Sequence, residues 1–333
     1  MKAVPLSSHI RRALKAVLLF ASLTFKAFAV PVTALAFTPD GTALLSNGDR
    51  KVEVRSPKDA TIQHSLECDM PKIAALAFNH DGSLLAAGGG EPGVRGEVWL
   101  FTWPEGKLKH RVTGYRDLVT SIAFDAANRS LATASADHTA QLWRLAADQP
   151  PALSRTLTGH AAPVLAIAFS SPENIVVTAS ADRSLKVWST LDGRLLRTLG
   201  QHTEAIHTLA FKPPDKSSAA PVPVTCATGS DDRTVRLWQP ETGRMVRIIR
   251  QHEGPVFALA WLPDGRAFFS AGKEGVIRRI DGSSDTIQAS WRAHDDWIYA
   301  LAVSPDGTLL ASSDWSGTVR IHNILAHPPE SSK

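Results

Sequence analysis

The pair Ala168-Phe169 closes a short apolar run, and the same pair or a near equivalent returns as Ala36-Phe37, Ala77-Phe78, Ala123-Phe124, Ala210-Phe211, Ala260-Trp261 and Ala302-Val303. Successive copies are 41, 46, 45, 42, 50 and 42 residues apart. The clearest unit, 158–190, predicts three short strands at Val164–Phe169, Ile175–Ala179 and Leu185–Trp188. Alternation and buried runs mark the strands, while Ser171-Pro172-Glu173-Asn174 and Ala181-Asp182-Arg183 supply turn residues. A unit this small, with one apolar face per strand, cannot bury its own core and needs neighbours like itself.

Intervals close to 40–45 residues suit a four-stranded propeller blade. Seven blades use the whole chain of 333 residues, so one domain is expected where length alone suggests two. A large aromatic ends the third strand at Trp99 or Phe101, Trp143, Trp188 and Trp238, and a histidine leads the unit at His160, His202, His252 and His294. With these residues in place the chain resembles the WD-repeat β-propeller family from Val32 to Asn323. The Asp of the Trp-Asp pair is absent (Trp143-Arg144, Trp188-Ser189, Trp238-Gln239), Arg55 and His322 hold the Trp position in units one and seven, and unit six departs at Arg279. The expected fold is an all-β, seven-bladed propeller. Its last blade is expected to have three strands, because neither the tail 326–333 nor a cleaved leader offers a fourth.

His160, Ser180, Asp182 and Trp188 have the composition of a catalytic set, yet the set recurs as His202, Ser230, Asp232 and Trp238. A nucleophile is needed once, whereas a blade-building network is needed in every blade. The resemblance implies that these eight residues are structural. It also implies that the residues flanking the buried Val or Ile of each first strand, and the one before the turn Asp, face the entrance of the central channel. In units five to seven those positions hold His207, Asp231, Phe257, Trp297, Tyr299 and Trp315, an aromatic group with Asp295 and Asp296 nearby. Aromatic anchors within a polar rim are the composition of a protein-binding hot spot.

Residues 1–29 have the order of a secretory leader: basic residues to Lys15, an apolar run from Ala16 to Phe25, and Ala27-Phe28-Ala29 as a small-x-small cleavage site. The run is about half the ~20 residues that span a bilayer, so no membrane span is expected in the mature chain. Lys2, Arg11, Arg12, Lys15 and Lys26 all fall in this leader, which has no acid; removing those five from 36 bases leaves 31 against 32 acids, a net of −1 where the whole chain carries +4. The folded part, 30–325, is therefore not a nucleic-acid binder by charge. The glycine-rich stretch 86–101, the short Pro-Asp-Gly turns and the leader together resemble exported bacterial WD-repeat proteins encoded beside secreted c-type cytochromes. That likeness implies a periplasmic or secreted scaffold whose partner is such a cytochrome or another envelope protein.

Cys68 and Cys226 lie three blades apart, too far for a disulfide. There is no Cys-x-x-Cys-His, HExxH, Walker loop, nucleophile elbow or Cys/His set at zinc spacing, and no catalytic residue, metal or cofactor is assigned. Gly88, Gly90 and Gly93 spell GxGxxG, but a strand follows where a dinucleotide site needs a helix; a long inter-strand loop is expected there. Two function classes follow: a non-catalytic protein-interaction scaffold, and a periplasmic enzyme or small-ligand binder working in the central channel. The leader predicts a mature N-terminus at or near Val30. Mass spectrometry of the envelope fraction checks it, and intact Met1 in a soluble cytoplasmic pool contradicts it.

Overall fold

The computed structural model describes residues 30–147, 149–170, 175–214 and 223–326. The leader, residue 148, the Ser171–Asn174 turn, residues 215–222 and the tail from 327 lie outside the described residues. Seven antiparallel sheets follow one another at 35–67, 72–115, 119–157, 164–199, 206–249, 256–292 and 298–323, each strand pairing with the next in sequence. Six have four strands and the seventh has three, which is the seven-bladed propeller with a three-stranded last blade. In blade four the strands are Val164–Phe169, Ile175–Ser180, Leu185–Ser189 and the outer Leu195–Leu199.

The apolar faces meet between blades. Trp188, on the third strand of blade four, packs with Ala132, Leu142 and Leu157 of blade three, and Trp238 of blade five packs with Val177, Leu185 and Val187 of blade four. Among the described residues six such seams each contain nine to eleven buried side chains. The seam between blades seven and one has three, Phe37, Leu44 and Ala311, with Leu35, Ala302, Val319 and Ile321 partly buried against them. Polar contacts supplement it: Ser313 Oγ donates to the Val32 carbonyl at 2.8 Å, and the Val32 amide donates to the Asp314 carbonyl at 3.3 Å.

Strand register corrects two expectations. The Trp position pairs with a residue at the start of the second strand, Val176 with Trp188 and Cys226 with Trp238. In blade six that partnership is Phe268 with Ile280, so a buried Ile280 replaces the tryptophan and Arg279 is its neighbour. The glycine-rich stretch is no long loop. Leu84–Glu91 and Arg95–Thr102 pair along their whole length and close in a tight turn at Pro92-Gly93-Val94. A Cβ on Gly89 or Gly90 would stand 1.9 Å from the Lys72 carbonyl or 2.2 Å from the Arg95 carbonyl, so close backbone approach accounts for the glycines.

Register also shows how the channel is lined. In blades two to seven the first strand carries a β-bulge just after its buried Val or Ile. The extra residue is Ala74, Thr120, Leu165, His207, Phe257 or Tyr299. A bulge residue has no ladder partner, and its side chain is re-aimed out of the sheet.

In blade seven the third strand, Val319–Asn323, is the sheet edge among the described residues, and it borders the thinnest seam. Opening is expected there first. Hydrogen exchange should show the amides of Val319–Asn323 exchanging well before those of Leu185–Ser189; equal protection of blades four and seven contradicts this.

Candidate functional site

In six of the seven blades the second strand buries a hydroxyl two residues beyond the partner of the Trp position, and this group organises the blade. In blade four, Trp188 Nε1–H donates to Thr178 Oγ1 at 2.9 Å, and Thr178 Oγ1 lies 2.7 Å from His160 Nε2. His160 Nδ1 lies 2.7 Å from Asp182 Oδ2. Desolvation lowers the His160 pKa and keeps the imidazole neutral; with a carboxylate at Nδ1 that nitrogen carries the one proton, so Nε2 accepts from the threonine. Blade five repeats the chain through Trp238, Thr228, His202 and Asp232. Ser180 and Ser230 have another task. Ser180 Oγ donates to the Ala162 and Pro163 carbonyls and accepts from the Asp182 amide, and Ser230 Oγ donates to the Glu204 carbonyl and accepts from the Asp232 amide. Thr178 and Thr228 are the hydroxyls that sequence reasoning missed.

Other blades reach the same end with different donors. Trp143 Nε1 donates to the Tyr115 hydroxyl, which is 2.8 Å from Thr133 Oγ1; in blade one Arg55 Nε donates to Ser46 Oγ. In blade seven Ser312 Oγ is 2.7 Å from His294 Nε2 and 2.8 Å from His322 Nε2, and His294 Nδ1 meets Asp314. Blade six keeps His252 on Ser270 at 2.8 Å, but Glu274 turns to the Glu253 and Gly254 amides and leaves His252 Nδ1 buried without a partner. Blade two has Ala87 and Phe101 at the hydroxyl and Trp positions.

The aromatic group lies together at the channel mouth. Phe257 and Tyr299 stack with centroids 4.9 Å apart and planes 1° apart; Trp297 stands 6.0 Å from Phe257 and Trp315 5.4 Å from Tyr299. Trp297 and Trp315 remain 39 % and 52 % exposed, and the Trp315 amide donates to the Trp297 carbonyl. His207 sets its edge on Phe257 at 5.0 Å, and its Nε2 lies 2.8 Å from Asp231 Oδ1, an ion-pair approach out of line for a hydrogen bond. The structure adds Lys273, whose ammonium lies 4.9 Å from the Trp297 ring centre. Its amide meets the Pro255 carbonyl as the Asp231 amide meets Ala205, so it is the blade-six counterpart of Asp231 and Trp315. Aligning Gly272-Lys273-Glu274 with Ser230-Asp231-Asp232 would have found it.

The channel below is a cavity of about 230 Å³ lined from six blades by groups such as Thr33, Ala74, Thr120, Thr208, Phe257 and Tyr299. Its described lining contains no carboxylate, imidazole or thiol. No group of three or more His, Cys, Asp or Glu placed to hold a metal occurs among the described residues. Both cysteines are free and buried, and burial pushes the Cys68 thiol up to about 12. No helix among the described residues is long and apolar enough to cross a membrane.

These features define a repeat propeller with a shared polar network and one specialised sector of its rim. A family model described as WD domain, G-beta repeat matches residues 22–55, 106–144, 152–189, 193–239, 243–281 and 285–323, which is most of the chain. The chain belongs to the WD40 repeat family, whose propellers are typically protein-interaction scaffolds. A curated relative, pre-mRNA-processing factor 19 homolog 2 of Arabidopsis thaliana, is 33% identical over 87 residues, 26% of this chain and 16% of that protein. The match thus spans about a sixth of the relative's length.

Two outcomes follow from the network. Thr178→Val strands the Trp188 N–H and His160 Nε2 together, at about 1–3 kcal/mol per buried group, and should lower the melting temperature more than Ser180→Ala does. Asp182→Ala should also lower it while leaving partner binding intact; lost binding at unchanged stability would reassign Asp182 to the interface.

The pH dependence has a definite sign. Desolvation lowers His160, His202 and His294 below 6.5 and takes His252 to about 4. Below pH 6.5 the unfolded chain therefore binds protons that the folded chain refuses, and stability falls as pH drops toward 4. Burial works to raise the Asp182 carboxyl, but hydrogen bonds from Ser184, Ala161 and His160 outweigh it and hold it at about 2. Its contribution is present above 3.8 and is lost as pH falls from there toward 2. Calorimetry across pH 7 to about 3 checks both windows; a flat melting temperature down to pH ~4.5 refutes the histidine part.

Proposed function

We propose that this chain is an exported, non-catalytic docking platform that binds a partner protein at the channel mouth on blades five to seven. The observation that carries the reading is the continuous group of Phe257, Tyr299, Trp297 and Trp315, with both tryptophans exposed and His207, Asp231 and Lys273 beside them. Rings held rigidly against one another on adjacent blades bury area on binding at little entropic cost. The order of charges and apolar residues in 1–29 supports export, and an envelope partner, a secreted c-type cytochrome or another exported protein, follows from that. The lining of the channel, hydroxyls, methyls and rings, favours the scaffold over an enzyme or small-ligand binder working there.

The test is capture of the partner from envelope extract by the wild-type protein and by a Trp297→Ala, Trp315→Ala double variant. Truncating hot-spot rings costs about 2 kcal/mol or more each, so the variant should fold normally and lose the partner. A normally folded variant that keeps its partner at unchanged affinity refutes the mouth as the docking site.

A further inference from the structure

The mouth has a charge pattern as well as an aromatic one. Tyr299 is the central ring, stacked on Phe257 and 5.4 Å from Trp315. Asp296 Oδ1 accepts from the Trp297 amide at 2.7 Å, and Asp231 lies against His207, which packs on Phe257, so carboxylates from two blades border the rings; burial first, and then these negative charges, push the Tyr299 phenol above the ordinary value. Asp231 is 38 % exposed at its side chain, with His207 alongside. Aromatic faces carry negative quadrupole density, and a cation over them is attracted. One cation of the chain already uses this property: Lys273 lies over Trp297, while no cation lies over the rings of Tyr299 or Trp315 among the described residues.

We infer that the partner enters this mouth with a lysine or arginine side chain, its cation against Tyr299 and Trp315 and within reach of Asp231 and Asp296. The inference rests on the docking reading of the same patch and adds the chemistry of what docks. His207 covers one oxygen of Asp231 and the Trp297 amide one oxygen of Asp296; a neutral or acidic segment would take the remaining carboxylate oxygens out of water with no partner for them, which is costly at an interface. A cation replaces their lost hydration and gains the ring faces together. Lys273, fixed on the neighbouring blade, then acts as a competitor: it repels the incoming charge and occupies the Trp297 face.

The experiment titrates the purified full chain with blocked pentapeptides, Ala-Ala-X-Ala-Ala, where X is arginine, lysine or the uncharged arginine isostere citrulline. Indole N–H resonances of Trp297 and Trp315, assigned by Trp→Phe variants, report occupancy. The arginine and lysine peptides are expected to bind about tenfold or more tightly than the citrulline peptide, with affinity falling as salt is raised to about 0.3 M. Asp231→Asn and Trp315→Ala are expected to weaken binding, and Lys273→Gln to strengthen it, all without a change in melting temperature. Equal binding of the citrulline peptide, no binding by any peptide, or weaker binding in Lys273→Gln overturns the inference. If the double tryptophan variant loses its captured partner while citrulline binds as well as arginine, docking at the mouth stands and the cation falls. If that variant keeps its partner, both fall.

Discussion

No blade here can hide its own apolar face, and everything else in the molecule depends on that constraint. Trp188 is buried by residues of blade three and Trp238 by residues of blade four, so each sheet is stable only as the neighbour of another. A ring satisfies every blade at once, provided the first and last meet. They meet at the smallest of the seven seams, around Phe37, Leu44 and Ala311. Arg55 holds the Trp position there and spends its guanidinium on Ser46 and Glu53. The weakest joint of the ring is thus the one where a charged side chain holds the place of the apolar wedge.

The buried hydroxyl on the second strand explains why some departures from the repeat are tolerated and others come in groups. Thr178 joins an indole donor to an imidazole acceptor, and deleting any one member leaves a polar atom unpaired in the interior. Substituting one N–H donor for another avoids that penalty, which is the situation of Arg55 on Ser46 and His322 on Ser312. Removing hydroxyl and donor together also avoids it, since an apolar pair of similar shape is close to neutral. Blade two has taken this route, with Ala87 and Phe101 in place and Met70 buried in the same core. The three inner strands of that blade, 72–102, lie in the stretch 56–105 between two matches of the family model. Blade six is half converted: Ile280 has replaced the donor, Ser270 remains, and His252 has one unpartnered nitrogen.

The repeat, the blade number and the three-stranded end were legible because they rest on period and on large apolar residues, which a sequence displays directly. The hydroxyl was not. Thr178 and Ser180 lie two apart on one face of one strand, and the pleat gives no means of choosing between them; only the reach of His160 does. Ile280 was hidden by the charge of Arg279, since an isoleucine in the Trp position looks like ordinary strand sequence. Lys273 was missed because blade six replaces the expected Asp by Glu274. The bulges carry no glycine of their own, so the direction of His207, Phe257 and Tyr299 followed from resemblance and not from any local signal.

The bulge also explains how a mouth can specialise on a scaffold so tightly coupled elsewhere. Ladder residues and seam residues are held by partners on both sides, and a change in size is transmitted to the next blade. The bulge residue has no partner across the ladder, so its side chain can grow from Ala74 or Thr120 to Phe257 or Tyr299 while Ile298 beneath stays fully buried. Three consecutive blades have used that freedom, and their larger side chains fill the space over the channel by packing on one another: His207 on Phe257, Phe257 on Tyr299, Tyr299 on Trp315. Rings braced in this way keep their positions without a ligand. A sector that is rigid, aromatic and partly exposed on one side of an otherwise small-residue rim has the physical properties of a preorganised docking surface, and it arises at the positions where the fold exerts the least control over side-chain size.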